Sequence, residues 1–207
     1  MVACNTASAA ALGYLRRTFT EVAFVGMEPA VKPAAETTQT GKVGILATPT
    51  TFAGELYASV VERFARDVEI YKGTCPGLVE QIEAGKLEDP KTKAVLVEAL
   101  TPMLAVGIDT VVMGCTHYPF VIPLIEAITG PSVRTIDPAP AVARQARRLL
   151  VQRGLLKPSG DKGSVNFYTS GDPKAFAELL PRLLGERGLV HPVHWTDGEK
   201  PALRSKS

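Results

Sequence analysis

The sequence predicts an α/β protein in which parallel strands alternate with helices. Three observations support this: short apolar runs rich in β-branched residues, longer amphipathic stretches between them, and two proline-rich interruptions. Most of the short runs are almost continuously apolar, which is typical of parallel strands that are covered by helices on both faces. The alternation therefore indicates two doubly wound α/β lobes with right-handed crossovers.

The individual elements follow from these patterns in chain order. The expected strands are Val22–Val25, Val43–Ala47, Val68–Tyr71, Thr110–Met113, Val133–Ile136 and Val165–Tyr168. The expected helices are Thr6–Thr18, Phe52–Arg66, Gly77–Ala84, Pro90–Val106, Pro119–Ile128, Ala139–Arg153 and Pro173–Gly185.

Two proline-rich segments interrupt this order, one between Glu28 and Gly41 and one at 137–140. We interpret them as chain crossings between two lobes. Residues 1–29 with 137–197 would then form a first lobe that carries Cys4, and residues 30–136 a second lobe that carries Cys115. Residues 198–207 are expected to be a frayed tail.

Composition limits the classes of function. The chain has 207 residues, of which 45% are hydrophobic, and a net charge of +2. This suits a soluble protein with a sizeable core, and neither a nucleic-acid groove nor a membrane surface is expected. No apolar run approaches the ~20 residues that a membrane helix needs. Three widely spaced cysteines favour free thiols in a reducing cytoplasm over a disulfide framework.

The segment after the strand Thr110–Met113 carries groups suited to catalysis. Ligands bind at the carboxyl ends of strands in open α/β sheets, and Gly114 allows a tight turn there. Cys115 then lies near a helix start, where backbone N–H groups favour a thiolate. His117 can exchange a proton with that thiol, and Thr116 offers a hydroxyl and an amide to an anionic ligand.

A second segment has the same organisation. Cys4 follows an apolar strand end and is followed by the small polar residues Asn5 and Thr6, and then by an alanine-rich helix. The start of such a helix is a natural carboxylate site. Two helix starts of this kind, facing each other across a cleft, would hold an amino acid between two thiols.

Simpler interpretations compete with this one. A cysteine at a strand end is more often a small buried apolar residue than a nucleophile. A zinc site built from Cys4, Cys75, Cys115 and His117 is an alternative, but no Cys-x-x-Cys pair supports it, and we expect no metal.

Together, the two segments resemble the paired cysteine signatures of the aspartate/glutamate racemase superfamily. The signatures are Ala3-Cys4-Asn5-Thr6-Ala7 and Gly114-Cys115-Thr116-His117-Tyr118-Pro119. Further segments resemble glutamate racemases in particular: Glu28-Pro29-Ala30-Val31, Leu46-Ala47-Thr48-x-x-Thr51, Cys75-Pro76-x-x-Val79-x-x-x-Glu83 and Phe167-Tyr168-Thr169-Ser170-Gly171-Asp172.

The resemblance implies a cofactor-independent racemase that supplies D-glutamate for peptidoglycan synthesis. Cys4 and Cys115 match the two cysteines that exchange the α-proton, and His117 matches a residue that assists the second cysteine. The positions that match substrate-binding residues are Asn5, Thr6, Thr48, Thr51 and Thr116. Glu83 matches a carboxylate near the active site, although a solvated carboxylate on a short helix is an equal alternative. Such racemases are commonly homodimers.

The sequence departs from the family at its beginning. The family opens with an Asp-Ser-Gly strand and turn and a later Tyr-Gly loop, and neither appears here. We therefore expect the first lobe to be missing its N-terminal strands, and the chain as given to have little racemase activity and poor solubility. Two alternatives follow: an inactive homologue with a binding or regulatory role, and a racemase of another substrate, such as aspartate or a hydantoin.

Overall fold

A four-stranded parallel sheet positions most of the predicted site residues. In the computed structural model, which describes residues 1–158, 160, 163–196 and 202–205, the strand order is β2-β1-β3-β4. The strands are β1 (Lys42–Leu46), β2 (Glu69–Gly73), β3 (Thr110–Met113) and β4 (Arg134–Ile136). All four residues of β3 are buried, as expected for a central strand of a covered sheet.

Helices precede, connect and follow these strands, and some of them cover the two faces of the sheet. They are α1 (Asn5–Thr18), α2 (Val31–Thr37), α3 (Pro49–Ala53), α4 (Glu55–Phe64), α5 (Leu78–Glu83), α6 (Pro90–Ala105), α7 (Ile122–Thr129) and α8 (Ala139–Gln152), with a 3₁₀ helix at Tyr118–Val121. On one face, Val43 and Ile45 pack with α2 and α4. On the other face, Met103 of α6 packs over Gly44 and Gly73, where a side chain on either glycine would collide with it.

Chain contacts divide the protein into two compact units, Met1–Ile82 with Lys86–Leu156, and Glu83–Gly85 with Lys157–Ser207. The second unit contains β5 (Phe167–Thr169), α9 (Pro173–Leu184), β6 (Val190–Thr196) and β7 (Ala202–Ser205). Strand β6 pairs parallel with β5 and antiparallel with β7. Helix α9 starts at Asp172, whose carboxylate accepts from the Lys174 N–H, and it ends before Gly185 in the left-handed conformation.

The predicted α/β class with parallel strands is confirmed, and the differences are local. The expected strand Val22–Val25 is wrong. One hydrogen bond joins this segment to the start of the chain, from the Val2 N–H to the Val25 carbonyl at 2.8 Å. Residues 22–25 are not assigned to a strand with any described part of the chain. Helix α2 lies where an irregular crossing was expected. Its Pro33 is in the first turn, where a helix needs no N–H donor, and Val31 and Ala34 are fully buried.

The predicted lobe boundaries, 1–29 with 137–197 against 30–136, stay a prediction. In the structure α1 packs against α3 and α4, so residues 1–29 group with the four-stranded sheet. Ala202–Ser205 form a strand inside the range expected to be frayed, and the other residues of 198–207 lie outside the described part of the chain. Among the described helices, none is both long enough and apolar enough to cross a membrane.

Candidate active site

The carboxyl ends of neighbouring strands bring two of the predicted segments together. Leu46, the last residue of β1, is in register with Met113, the last residue of β3. The strands are parallel, so the turns after them leave the same edge of the sheet. One turn leads to Thr48 and α3, and the other to Gly114 and Cys115.

Gly114 holds these two turns close to each other. Its N–H donates to the Leu46 carbonyl at 2.7 Å. A Cβ at this position would lie 2.7 Å from the Ala47 Cβ and 2.9 Å from the Leu46 carbonyl oxygen. Both distances are below normal contact, so only glycine fits without moving the backbone.

Cys115 lies half-buried directly after this glycine. Its sulfur is 3.9 Å from Nδ1 of His117. Burial raises the pKa of the Cys115 thiol, the charge of Cys4 raises it further, and the backbone N–H groups of His117 and Tyr118 lower it.

Cys4 occupies the N-cap of α1, where its sulfur accepts the Ala7 N–H at 3.4 Å. The residue is half-buried and has an extended backbone. Ser8, buried in the next turn, donates to the Val2 carbonyl at 3.2 Å and accepts the Met27 N–H at 2.9 Å. These bonds fix the chain before Cys4 against the segment that follows α1. Ser8 was not among the predicted site residues, although it follows the first cysteine signature directly.

Three predicted threonines meet beside Cys4. The Thr6 hydroxyl lies 3.0 Å from that of Thr48 and 3.1 Å from that of Thr51, and the latter two are 3.0 Å apart. Thr48 also caps α3, since its oxygen accepts the Thr51 N–H at 3.2 Å. We call Thr6, Thr48 and Thr51 the threonine cluster. It places three rotatable O–H donors at one point, an arrangement suited to a carboxylate.

Asn5 is buried without a partner for its side chain. It is 3% exposed, and neither its amide nitrogen nor its amide oxygen has a hydrogen-bond partner among the described residues. A buried polar group left unpaired costs about 1–3 kcal/mol. Native proteins rarely leave such a group unpaired.

The remaining predicted residues lie in different surroundings. Thr116 is half-buried next to Cys115, and His117 precedes the 3₁₀ helix. Glu83 is exposed at the last position of α5 and belongs to the second compact unit. Its role in the site therefore stays a prediction.

Two buried residues support the Cys115 turn. Burial raises the pKa of Cys75 to about 12, which makes it a poor nucleophile and fits a packing role. Tyr118 is almost fully buried, and the backbone N–H of Cys75 faces its phenol oxygen. Burial is the main reason that the pKa of Tyr118 is raised. The sequence signal for Tyr118 was its place in the second cysteine signature, but nothing there indicated its contact with Cys75.

The donor set of this site does not resemble a metal centre. The described residues contain no group of three His, Cys, Asp or Glu side chains placed to hold a metal ion. The groups that meet here are thiols, hydroxyls, an amide and an imidazole. This chemistry suits proton transfer on a small polar molecule.

Comparisons with known proteins agree with this chemistry. Residues 1–146 match the family model described as Asp/Glu/Hydantoin racemase. A curated glutamate racemase of Roseiflexus sp. (strain RS-1) is 50% identical over 184 residues, which cover 88% of this chain and 68% of that protein.

Two solved structures have similar folds. The Escherichia coli glutamate racemase in complex with L-glutamate and the activator UDP-MurNAc-Ala has a TM-score of 0.76 and 31% identity, covering 93% of this chain and 73% of that one. The Francisella tularensis glutamate racemase in complex with D-glutamate has a TM-score of 0.74 and 26% identity, covering 90% and 70%.

Proposed function

Because the chain belongs to the Asp/Glu/Hydantoin racemase family, we propose that it is a glutamate racemase that interconverts L- and D-glutamate through Cys4 and Cys115. The observation that carries the proposal is the contact between Thr6 and Thr48, which ties the start of α1, where Cys4 lies, to the sheet edge from which the Cys115 turn leaves. The relatives support the choice of substrate, since one solved structure holds L-glutamate and the other D-glutamate.

In the proposed reaction, one cysteine acts as a thiolate and removes the α-proton, and its sulfur becomes a thiol. The other cysteine begins as a thiol, donates its proton to the opposite face of the carbanion, and becomes a thiolate. The roles exchange in the reverse direction. Two bases are needed because a single base would tend to return the proton to the face from which it came. This step needs no cofactor.

We assign substrate binding to the polar groups around the thiols. Glutamate has two carboxylates and an amine, and the threonine cluster can turn its O–H groups toward a carboxylate. The unpaired amide of Asn5 can donate to a carboxylate and accept from the amine. Thr116 adds a hydroxyl beside Cys115. Fixed donors of this kind stabilise charge that develops in the transition state without reorganising.

His117 is proposed to assist Cys115. Its Nδ1 lies 3.9 Å from the sulfur, which is within the range of a weak hydrogen bond to sulfur and can shorten when substrate binds. An imidazole has two ring nitrogens that can donate or accept a proton, so His117 can take up or supply the thiol proton between turnovers. Glu83 stays a candidate for a second assisting group.

The proposed biological role is the supply of D-glutamate for peptidoglycan. The activator in the Escherichia coli relative is a nucleotide-linked MurNAc derivative, and that sugar belongs to peptidoglycan. The three free cysteines fit a reducing cytoplasm. Formation of a homodimer and the lack of nucleic-acid binding stay predictions, from the family resemblance and from the balanced charge.

Exchange of the α-hydrogen tests this function. D-Glutamate is incubated with the chain in D₂O, and loss of the α-proton signal by NMR is followed together with inversion by circular dichroism. The exchange readout comes first because it registers removal of the α-proton even when inversion is slow. Cys4→Ser and Cys115→Ser are each expected to lose about 10²–10⁴-fold in racemisation rate, whereas Cys75→Ala keeps it.

Several outcomes would contradict the proposal. If either serine variant racemised at the wild-type rate, the two-thiol mechanism would be wrong. Faster exchange with aspartate or a hydantoin than with glutamate would change the substrate. Tight binding of glutamate with no exchange above that of the double variant would indicate a binding protein instead.

A further inference from the structure

The hydroxyl of Ser8 joins the chain before Cys4 to the segment after α1. It donates to the Val2 carbonyl at 3.2 Å and accepts the Met27 N–H at 2.9 Å. A serine inside a helix can return its hydroxyl to the carbonyl four residues earlier. Ser8, which is 1% exposed, instead uses its hydroxyl donor and acceptor outside its own helix. We call this pair of bonds the Ser8 bridge.

The Ser8 bridge takes the place of one hydrogen bond of a parallel strand pair. The Val2 N–H donates directly to the Val25 carbonyl at 2.8 Å. In a regular parallel pair, the next bond would run from the Met27 N–H to the Val2 carbonyl. The Ser8 hydroxyl lies between these two groups and bonds to both. The two backbones are therefore held further apart here, directly before Cys4.

Ser8 also holds Cys4 from the other side. Its N–H donates to the Cys4 carbonyl at 2.9 Å. The Cys4 backbone is thus restrained before the residue through the Val2 carbonyl and after it through its own carbonyl. The Cys4 sulfur, which accepts the Ala7 N–H at 3.4 Å, takes its direction from this backbone. Removing the Ser8 hydroxyl would release the first restraint and leave the second in place.

Gly26 lets the neighbouring segment approach Ser8. A Cβ at position 26 would lie 3.1 Å from the Ser8 hydroxyl oxygen and 2.4 Å from a methyl carbon of Leu12. Leu12 lies one turn after Ser8 on the same side of α1 and is also buried. A side chain at position 26 would therefore push the segment that contains Met27 away from the Ser8 bridge.

We propose that Ser8 is a positioning residue for the first thiol, because the Ser8 bridge sets the direction in which Cys4 presents its sulfur to the substrate. This rests on the proposed function and adds a residue to it. Ser8 itself exchanges no proton with the substrate, since it is buried and its hydroxyl hydrogen is held by the Val2 carbonyl. Loss of the bridge affects the proton transfer at Cys4, and the threonine cluster still binds the carboxylate.

The variants Ser8→Ala and Gly26→Ala test this role through the split between kcat and KM. In Ser8→Ala, kcat for racemisation is expected to fall about 10²-fold with little change in KM, since a displacement of about 1 Å can cost that much. Gly26→Ala should lower kcat likewise, although it keeps the hydroxyl. The matched control is Thr110→Val. Thr110 is also 1% exposed, and its hydroxyl bonds to Asp109 at 3.0 Å, at the end of β3 opposite to Cys115.

Thr110→Val should lower the stability without lowering kcat. Equal losses of kcat in Ser8→Ala and Thr110→Val would overturn the proposal, because the loss would then follow stability alone. A rise in KM with unchanged kcat in Ser8→Ala would overturn it as well.

Alkylation of the thiols gives a second readout that needs no substrate. At one fixed pH, limiting iodoacetamide is added, and modification of Cys4 and Cys115 is followed by peptide mass spectrometry. The ratio of the Cys4 rate to the Cys115 rate should rise severalfold in Ser8→Ala, because the half-buried Cys4 is released, and should stay constant in Thr110→Val. An unchanged ratio in Ser8→Ala would overturn the proposal.

If Ser8→Ala fails to fold, hydrogen exchange of the wild-type amides decides. The Met27 N–H should be protected, as the Ser8 bridge requires, and exchange as fast as in an unfolded peptide would overturn the proposal. A changed alkylation ratio together with no α-hydrogen exchange in the wild type would support the positioning of Cys4 and contradict the racemase function, so the two failures can be told apart.

Discussion

The hydroxyl oxygens of Thr6 and Thr48 lie 3.0 Å apart, although 42 positions separate the two residues. This contact joins the start of α1, which carries Cys4, to the turn after β1. It therefore links the first thiol to the sheet edge at which the second thiol lies.

Replacing Thr48 by valine should weaken substrate binding more than it weakens the fold. The change removes one donor from the threonine cluster and the cap of α3, and loss of a cap costs about 1 kcal/mol. We expect KM for glutamate to rise about tenfold or more, since a hydrogen bond to a charged group is worth about 1.5–3 kcal/mol. Thr50→Val in the same helix is the control, because Thr50 is exposed. An unchanged KM in Thr48→Val would exclude this carboxylate role.

Asn5→Leu should stabilise the protein while abolishing racemisation. Leucine has the same branched shape and replaces two buried polar atoms that lack partners by methyl groups, so we expect a gain of up to about 1–3 kcal/mol in the free energy of unfolding. Urea denaturation measures it. The matched control is Ser8→Ala, which removes a buried hydroxyl with two partners and should destabilise. Equal destabilisation by both changes would mean that Asn5 supports the fold rather than the site.

Asp109 should make the stability of the sheet depend on pH. Burial alone would raise its pKa, but hydrogen bonds from the Thr38 hydroxyl, from the backbone N–H groups of Thr40 and Gln39 and from the Thr110 hydroxyl lower it from 3.8 to about 2. Because the pKa of Asp109 is lower in the folded state, its carboxylate stabilises the fold at pH values above the ordinary pKa of 3.8. This stabilisation is lost as the pH falls through about 2.

Asp109→Asn is therefore expected to lower the free energy of unfolding at neutral pH. The loss should be about 1–2 kcal/mol, a figure reduced for solvent screening because the carboxylate is only partly buried. The difference from the wild type should shrink between pH 4 and pH 2, as followed by urea denaturation at each pH. The exposed Asp67→Asn serves as control. A difference that stayed constant over this range would contradict the assigned cause.

Gly114→Ala should displace the Cys115 turn. The added methyl group would meet the Ala47 Cβ and the Leu46 carbonyl at less than 3 Å, and such overpacking costs about 1–3 kcal/mol. We expect a lower melting temperature and a large fall in kcat. The second change Ala47→Gly, which removes one of the two collisions, should restore part of the stability. Gly171→Ala, whose Cβ would make an ordinary contact, is the control. Additive effects of the two changes would argue against a direct collision.

Much of this fold could be predicted from local patterns, and the exceptions have physical reasons. Strand β3 was predicted at Thr110–Met113, its observed bounds, because all of its residues are apolar or β-branched and buried. Strand β6 was missed because Pro192 and two histidines interrupt its apolar pattern. Helix α2 was missed because prolines dominate its surroundings, while its burial depends on distant partners.

The same division applies to the site. The cysteines and their neighbouring polar residues could be found because short signatures carry them. The geometry of the threonine cluster depends on packing between α1 and the β1 turn, which no local pattern encodes. That the Asn5 amide is unpaired could not be predicted, because it depends on the positions of all neighbouring donors and acceptors in the folded protein.

The register of the sheet has a consequence for engineering. Gly73, Leu46 and Met113 lie side by side in one row across β2, β1 and β3, and the loops that follow this row carry Cys75, Thr48 and Cys115. If the loops after this row are replaced by the corresponding loops of other family members, all three new loops begin at the same level of the sheet. A single residue inserted within β1 would instead turn its side chains to the opposite face and shift its loop against both neighbours at once. The row therefore defines crossover points for building chimaeras with altered substrate preference.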